Sequence, residues 1–418
     1  MASGLRRWIQ VWIAALLLGG APLATLAQTA TVAQPDSGQQ ERQLRTALNA
    51  NSRQPRLWNN LGVTLRRSGR LNEAVKAYRQ AIRLDSRYAD AYSNLAVALT
   101  ALKQNDEALR AIRQAMVLSK DNPVYRLNLA TVYESMGRNA EAAIEYQAFL
   151  QRTGESASIY TRLARVQTQS GNTNQALTSW QKAVDLDPEN GTYHLAYGKA
   201  LAQKGRAFEA IAQLEAAVRL KAIDAPGYLL IGNLYDAQNQ TDASVAALRE
   251  AARLDPGSAR IHNDLAVSLG KLQLTDEATE ALERAISLNP SYAEAYSNLG
   301  VMRRRQGKLE EAETAYNRSF QLDARIPQTY NNLGVLYLES GRDEQAVIQF
   351  EKALQLDPKY WEARRNLALA LSRQGNLSGA ADELKRVLDN SPPDPTVLQV
   401  QADLRKIEGV LRTTGGGQ

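Results

Sequence analysis

The chain has 418 residues, 44% of them hydrophobic, which is enough to bury a long core and excludes a disordered polymer. It has no cysteine and only two histidines, which excludes disulfides, thiolate chemistry and histidine-rich metal centres. Its 50 Lys and Arg against 44 Asp and Glu leave a net charge of +6, too dilute over this length to mark a nucleic-acid binder.

Arg6 and Arg7 precede an uncharged stretch over residues 8–27, and Thr25, Leu26 and Ala27 place small residues where a signal peptidase reads. Residues 1–27 are therefore expected to be an export signal cleaved before Gln28. The alternative is a retained membrane anchor, against which Pro22 and the weak apolar character after Gly19 argue. Either outcome puts the remainder outside the cytoplasm of a bacterium, in the periplasm or secreted, or held at a membrane if the N-terminal segment is retained. Residues 28–38 read as a flexible spacer. Leu44 and Ala47 then fit one apolar face, so residues 39–54 are expected to form a capping helix.

Residues 55–394 divide into ten blocks of 34 without an insertion or deletion, starting at Pro55, Ala89, Pro123, Ala157, Gly191, Ala225, Ala259, Ala293, Pro327 and Trp361. Position 8 of every block is Gly or Ala, and position 20 is Ala in all but the sixth, which has Ser244. Apolar residues recur at positions 4, 7, 8 and 11 and again at 20, 24, 27 and 28, which predicts two helices per block, each with one buried face. Position 15 is Gly69, Gly137, Gly171, Gly205, Gly307, Gly341 or Gly375 in seven blocks and Asn239 in an eighth, residues that accept the left-handed backbone ending a helix. Lys103 and Gln273 break that pattern, which predicts a different cap or a longer first helix there. Residues 395–412 are expected to cap the far end as a helix through Leu398, Leu404, Ile407 and Leu411, and residues 413–418 to be a disordered tail.

These positions, with an aromatic near position 4 and Pro188, Pro256, Pro290, Pro358 and Pro392 at position 32, resemble the tetratricopeptide repeat. The resemblance implies an all-α, right-handed superhelical solenoid with capping helices at both ends, and a scaffold that binds proteins. Its simplest state is an elongated monomer; a homodimer through a terminal helix is left open.

Position 6 carries Asn60, Asn94 and Asn128 in the first three blocks, Asp264 in the seventh, and Asn298, Asn332 and Asn366 in the last three. An asparagine offers both a donor and an acceptor, so a row of them on the inner surface is expected to hold an extended peptide by its backbone. The arrangement resembles the asparagine ladder of the repeat domain in O-linked N-acetylglucosamine transferases, without a catalytic domain. Arg66, Arg67, Arg304, Arg305 and Arg373 are expected on the same surface, favouring acidic partners.

His194 and His262 both occupy position 4, an aromatic packing site, and no phosphate loop, nucleophile elbow or zinc-binding helix motif occurs. The expectation is therefore no enzyme, no cofactor and no metal, with protein or peptide partners and no nucleic acid. Two functions fit: a scaffold holding peptides or assembly partners in the bacterial envelope, or a membrane-associated assembly component of a secretion, polysaccharide-export or pigment-protein system.

Overall fold

The structure is a computed structural model that describes residues 37–120, 122–389 and 394–415. The expected export signal and nearly all of the spacer lie outside the described residues. All regular structure among the described residues is helical, and it divides into two units, with the chain passing from the first to the second between Ala222 and Ile223.

The first unit holds a capping helix, Ser37–Ala50, and five hairpins. Their first helices are Pro55–Arg67, Ala89–Ala101, Pro123–Ser135, Ala157–Gln169 and Gly191–Gln203. Leu71–Leu84, Asn105–Leu118, Asn139–Thr153, Thr173–Leu186 and Ala207–Arg219 are the second helices. The second unit holds five more hairpins, with first helices Ala225–Ala237, Ala259–Lys271, Ala293–Arg305, Pro327–Glu339 and Trp361–Arg373. Its second helices are Thr241–Leu254, Thr275–Leu288, Leu309–Leu322, Asp343–Leu356 and Leu377–Asp389, and Asp394–Gly415 closes the unit.

Each first helix packs along its own second helix, and within a unit each second helix packs against the first helix of the next repeat. First helices of repeats one to three, and of repeats six to ten, also touch in succession. Along those runs the first helices form the inner face of the stack.

The small residues make this close approach feasible. Position 20 is buried in all ten repeats. At position 8 a Cβ on Gly334 would lie 2.5 Å from the Phe350 ring, and one on Gly62 would lie 2.5 Å from the Tyr78 ring, so in these two repeats glycine leaves the room that the ring fills. Leu61, Leu95, Leu129, Leu163, Leu333 and Leu367 at position 7 fill the space beside these contacts and are buried, each contributing about 1.5–3 kcal/mol.

Two expectations are corrected. Lys103 and Gln273 adopt φ of 62°, in the same left-handed region as Gly69 or Gly307, and their first helices have the usual 13 residues. The turn geometry is thus set by the packing of the two helices, and a non-glycine residue is strained to match it at a cost of about 1 kcal/mol. The terminal helix runs to Gly415, so residues 413–415 are helical where a disordered tail was expected. No proline or glycine stands between Gly409 and Gly415 to stop it.

Candidate functional site on the inner face

The position 6 asparagines form a ladder, and its rungs bond first to one another. Asn94 donates through Nδ2 to Asn59 Oδ1 at 2.9 Å, Asn128 to Ser93 Oγ at 2.8 Å, Asn298 to Asn263 Oδ1 at 2.9 Å and Asn366 to Asn331 Oδ1 at 2.9 Å. In each case position 6 of one repeat meets position 5 of the repeat before, because stacked first helices are offset by one residue. The position 5 acceptors were missed in the sequence; paired polar residues such as Asn59–Asn60 and Asn331–Asn332 were the available signal.

Two rungs lack this link, each for a physical reason. Asn60 is exposed and has no repeat before it to supply an acceptor. Asn332 is half-buried, and the hydroxyl it would meet, Ser297 Oγ, accepts instead from Thr329 Oγ1 at 2.9 Å. Asp264 completes the series as a carboxylate rung, accepting from Asn263 at 3.2 Å and from Asn233 at 3.4 Å. Asn128 is buried, whereas Asn94, Asn298 and Asn366 are half-buried and keep a carbonyl oxygen with no internal partner among the described residues. The bonds to the preceding repeat hold those carboxamides in one orientation. Replacing Asn298 and Asn366 therefore also removes inter-repeat bonds worth about 1 kcal/mol each.

The basic residues form a second ladder seven positions further along the same helices. Lys271 pairs with Asp236 at 2.7 Å, Arg305 donates to the Gly270 carbonyl, Arg304 pairs with Glu339, and Arg373 donates to the Leu338 carbonyl at 2.8 Å. Position 13 of one repeat thus meets position 12 of the one before it. Arg305 and Arg373 bond carbonyls in the last turn of a neighbouring helix, Gly270 and Leu338, which also accept the turn amides of Gln273 and Gly341 at 3.2 Å. The excess of inner cations read from the sequence is therefore largely consumed in the second unit. Arg66 and Arg67 differ, having no carboxylate partner among the described residues. Burial pushes the Tyr78 and Tyr316 phenols up to about 12, so both stay protonated beside Arg66 and Arg304.

In the first unit Glu134 gathers three donors: the Tyr146 hydroxyl at 2.5 Å, Arg162 at 2.9 Å, and Arg165. Burial pushes its carboxyl up, but these partners together outweigh burial and hold it below the ordinary glutamate value of 4.5. A lowered folded-state value contributes stability above the unfolded value and loses it as pH falls through the folded one. The first unit is thus expected to lose stability as pH drops below about 4.5, and Glu134→Gln to flatten that loss in melting curves taken from pH 6 to pH 3.

The histidines serve packing. His194 and His262 direct Nε2 to the carbonyls of Pro188 and Pro256 at 2.9 and 3.2 Å, six residues back. Trp58 Nε1 and Arg364 Nη2 reach the same place, the carbonyls of Ser52 and Pro358. Among the described residues no group of three or more metal-ligating side chains occurs, and no helix is long and apolar enough to cross a membrane.

The sequence is similar to known families along most of these hairpins. The profile of the Cilia and flagella-associated protein 70 C-terminal domain matches residues 192–397, that of a TPR repeat matches 64–103 and 164–205, and that of the tetratricopeptide repeat matches 89–121. No curated protein matches by sequence. Among solved structures, YrrB, described as a TPR protein with an unusual peptide-binding site, is 19% identical over 45% of this chain and 96% of its own, with a TM-score of 0.42. MamA is 25% identical over 41% of this chain and 94% of its own, with a TM-score of 0.39, and yeast Tom70 is 15% identical over 86% and 96%, also at 0.39. With ten helical hairpins of 34-residue period and repeat profiles matching in both units, the chain is a tetratricopeptide-repeat protein.

Proposed function

We propose that this protein-interaction scaffold holds extended segments of partner proteins on the inner faces of its helix stacks, gripping their main chain through the position 6 asparagines. The observation that carries the reading is the ladder itself: its bonds between repeats orient the carboxamides, and the rungs left half-buried still have an unused carbonyl. A main-chain N–H suits that oxygen, and such a bond reads backbone without reading side chains. No catalytic group enters this reading. Site-specific photo-crosslinking in the native host tests it. A crosslinker at Val335, on the inner face of repeat nine, is expected to yield protein adducts, and one at Ile144, 62% exposed on a second helix, is not. Adducts at Ile144 alone would place the interaction on the outer surface.

We propose the bacterial envelope as its location, on the strength of the export signal expected from the sequence of residues 1–27. Intact-mass measurement on native protein tests this: a chain beginning at Gln28 supports export with cleavage, and a full-length chain in washed membranes supports the assembly role at a membrane.

A further inference from the structure

Between the terminal helix and the two helices of repeat ten lies an open-sided cavity of about 400 Å³. Ala368, Leu384 and Ile407 give it an apolar lining, and Leu369, 54% exposed, lies at its wall. Asn366, the last rung of the ladder, lines it too. The cavity is therefore continuous with the inner face.

Two further features say what would enter. Position 9 of repeats seven to ten is Val267, Val301, Val335 and Leu369, all partly exposed, so an apolar stripe runs beside the asparagine rungs and ends at the cavity. The charges there do not balance. Arg365 is answered by Asp403 at 3.5 Å, whereas Lys406 lines the cavity with no carboxylate partner among the described residues.

We propose that this cavity is the specificity pocket of the second unit. It takes a large apolar side chain of an extended partner segment and pairs an adjacent acidic side chain with Lys406. The volume admits one or two such apolar groups, and the unanswered ammonium supplies the charge preference. This rests on the reading of the inner face as a peptide groove, and deepens it by naming the segment.

A random nonapeptide library displayed on phage, selected on the full chain, tests it. The peptides are joined to the coat protein at their C-termini, so only side chains supply acids. Selection on the wild type is expected to enrich a large apolar residue next to aspartate or glutamate at least tenfold over the starting library. Selection on Lys406→Glu, an exposed position whose change leaves the fold intact, is expected to keep the apolar residue and exchange the acid for lysine or arginine. Ser372→Trp, which fills the cavity, should remove the apolar preference. An unchanged acid preference on Lys406→Glu, or none on the wild type, overturns the assignment. Peptides weakened by Asn332→Ala but indifferent to Lys406→Glu would leave the groove standing and remove the pocket, and peptides indifferent to both would remove both.

Discussion

Phe350→Ala lowers the stability of repeat nine and its neighbours by roughly 3–5 kcal/mol, measured as loss of hydrogen-exchange protection in residues 327–356. The ring is fully buried and fills the space that Gly334 leaves by lacking a Cβ, so truncation opens a cavity that two packed helices cannot close. The same contact makes Gly334→Ala costly, because the new methyl would sit 2.5 Å from a ring atom, and overpacking of this kind costs about 1–3 kcal/mol. Other repeats show the remedy. In three repeats alanine at position 8 accompanies an aliphatic position 24 residue, Ala96 with Ile112, Ala266 with Leu282 and Ala368 with Leu384, while Ala130 and Ala164 stand with Tyr146 and Trp180. Gly334→Ala should therefore cost less in a Phe350→Leu background, with a coupling of about 1–2 kcal/mol in the double-mutant cycle. Additive effects would mean that the two side chains do not compete for one space.

Glu383→Gln destabilises the last repeat by about 2–4 kcal/mol, because it leaves a nearly buried guanidinium without its counter-charge. Arg364 and Glu383 each keep only 12% of their side-chain surface exposed and meet at 2.6 Å, while Arg364 also bonds the Pro358 carbonyl at 2.8 Å. Arg386, on the exposed side, retains its charge near the same place but cannot fill the vacancy. The terminal helix Asp394–Gly415 packs on this repeat, so its amides should lose protection together with residues 361–389. Protection unchanged in both segments would contradict the burial argument.

The repeat register was legible because a 34-residue period imposes the same packing problem ten times. Position 8 and position 20 had to be small, and position 7 had to be large, wherever two helices touch. What the period hid was the relation between repeats. The one-residue offset that joins Asn94 to Asn59, and Arg305 to Gly270, exists only once helices are stacked, and no single block contains it. The same offset explains why Arg304, Arg305 and Arg373 read as a basic surface in the sequence and prove to be paired or capping in the fold.

The division of the chain had a local signal too. In repeat five the second helix ends at Arg219, one residue early, and Lys221 takes φ of 55° where most repeats continue to an Asp or Asn. Ala222 stands where a proline stands in other repeats, with its Cβ only 2.5 Å from where one on Gly191 would lie. That turn is tight, and the unit closes there.

Asn332 separates the binding role of the ladder from its structural one, since its carboxamide alone among the last three asparagine rungs has no bond to the preceding repeat. The most direct measurement is the affinity of the tightest peptide from the nonapeptide selection for wild type and for Asn332→Ala, with melting curves of both. Binding to Asn332→Ala is expected to be weaker by roughly 0.5–1.5 kcal/mol, about two- to tenfold, with an unchanged melting midpoint. Equal affinity for the two proteins would contradict the binding role of the ladder.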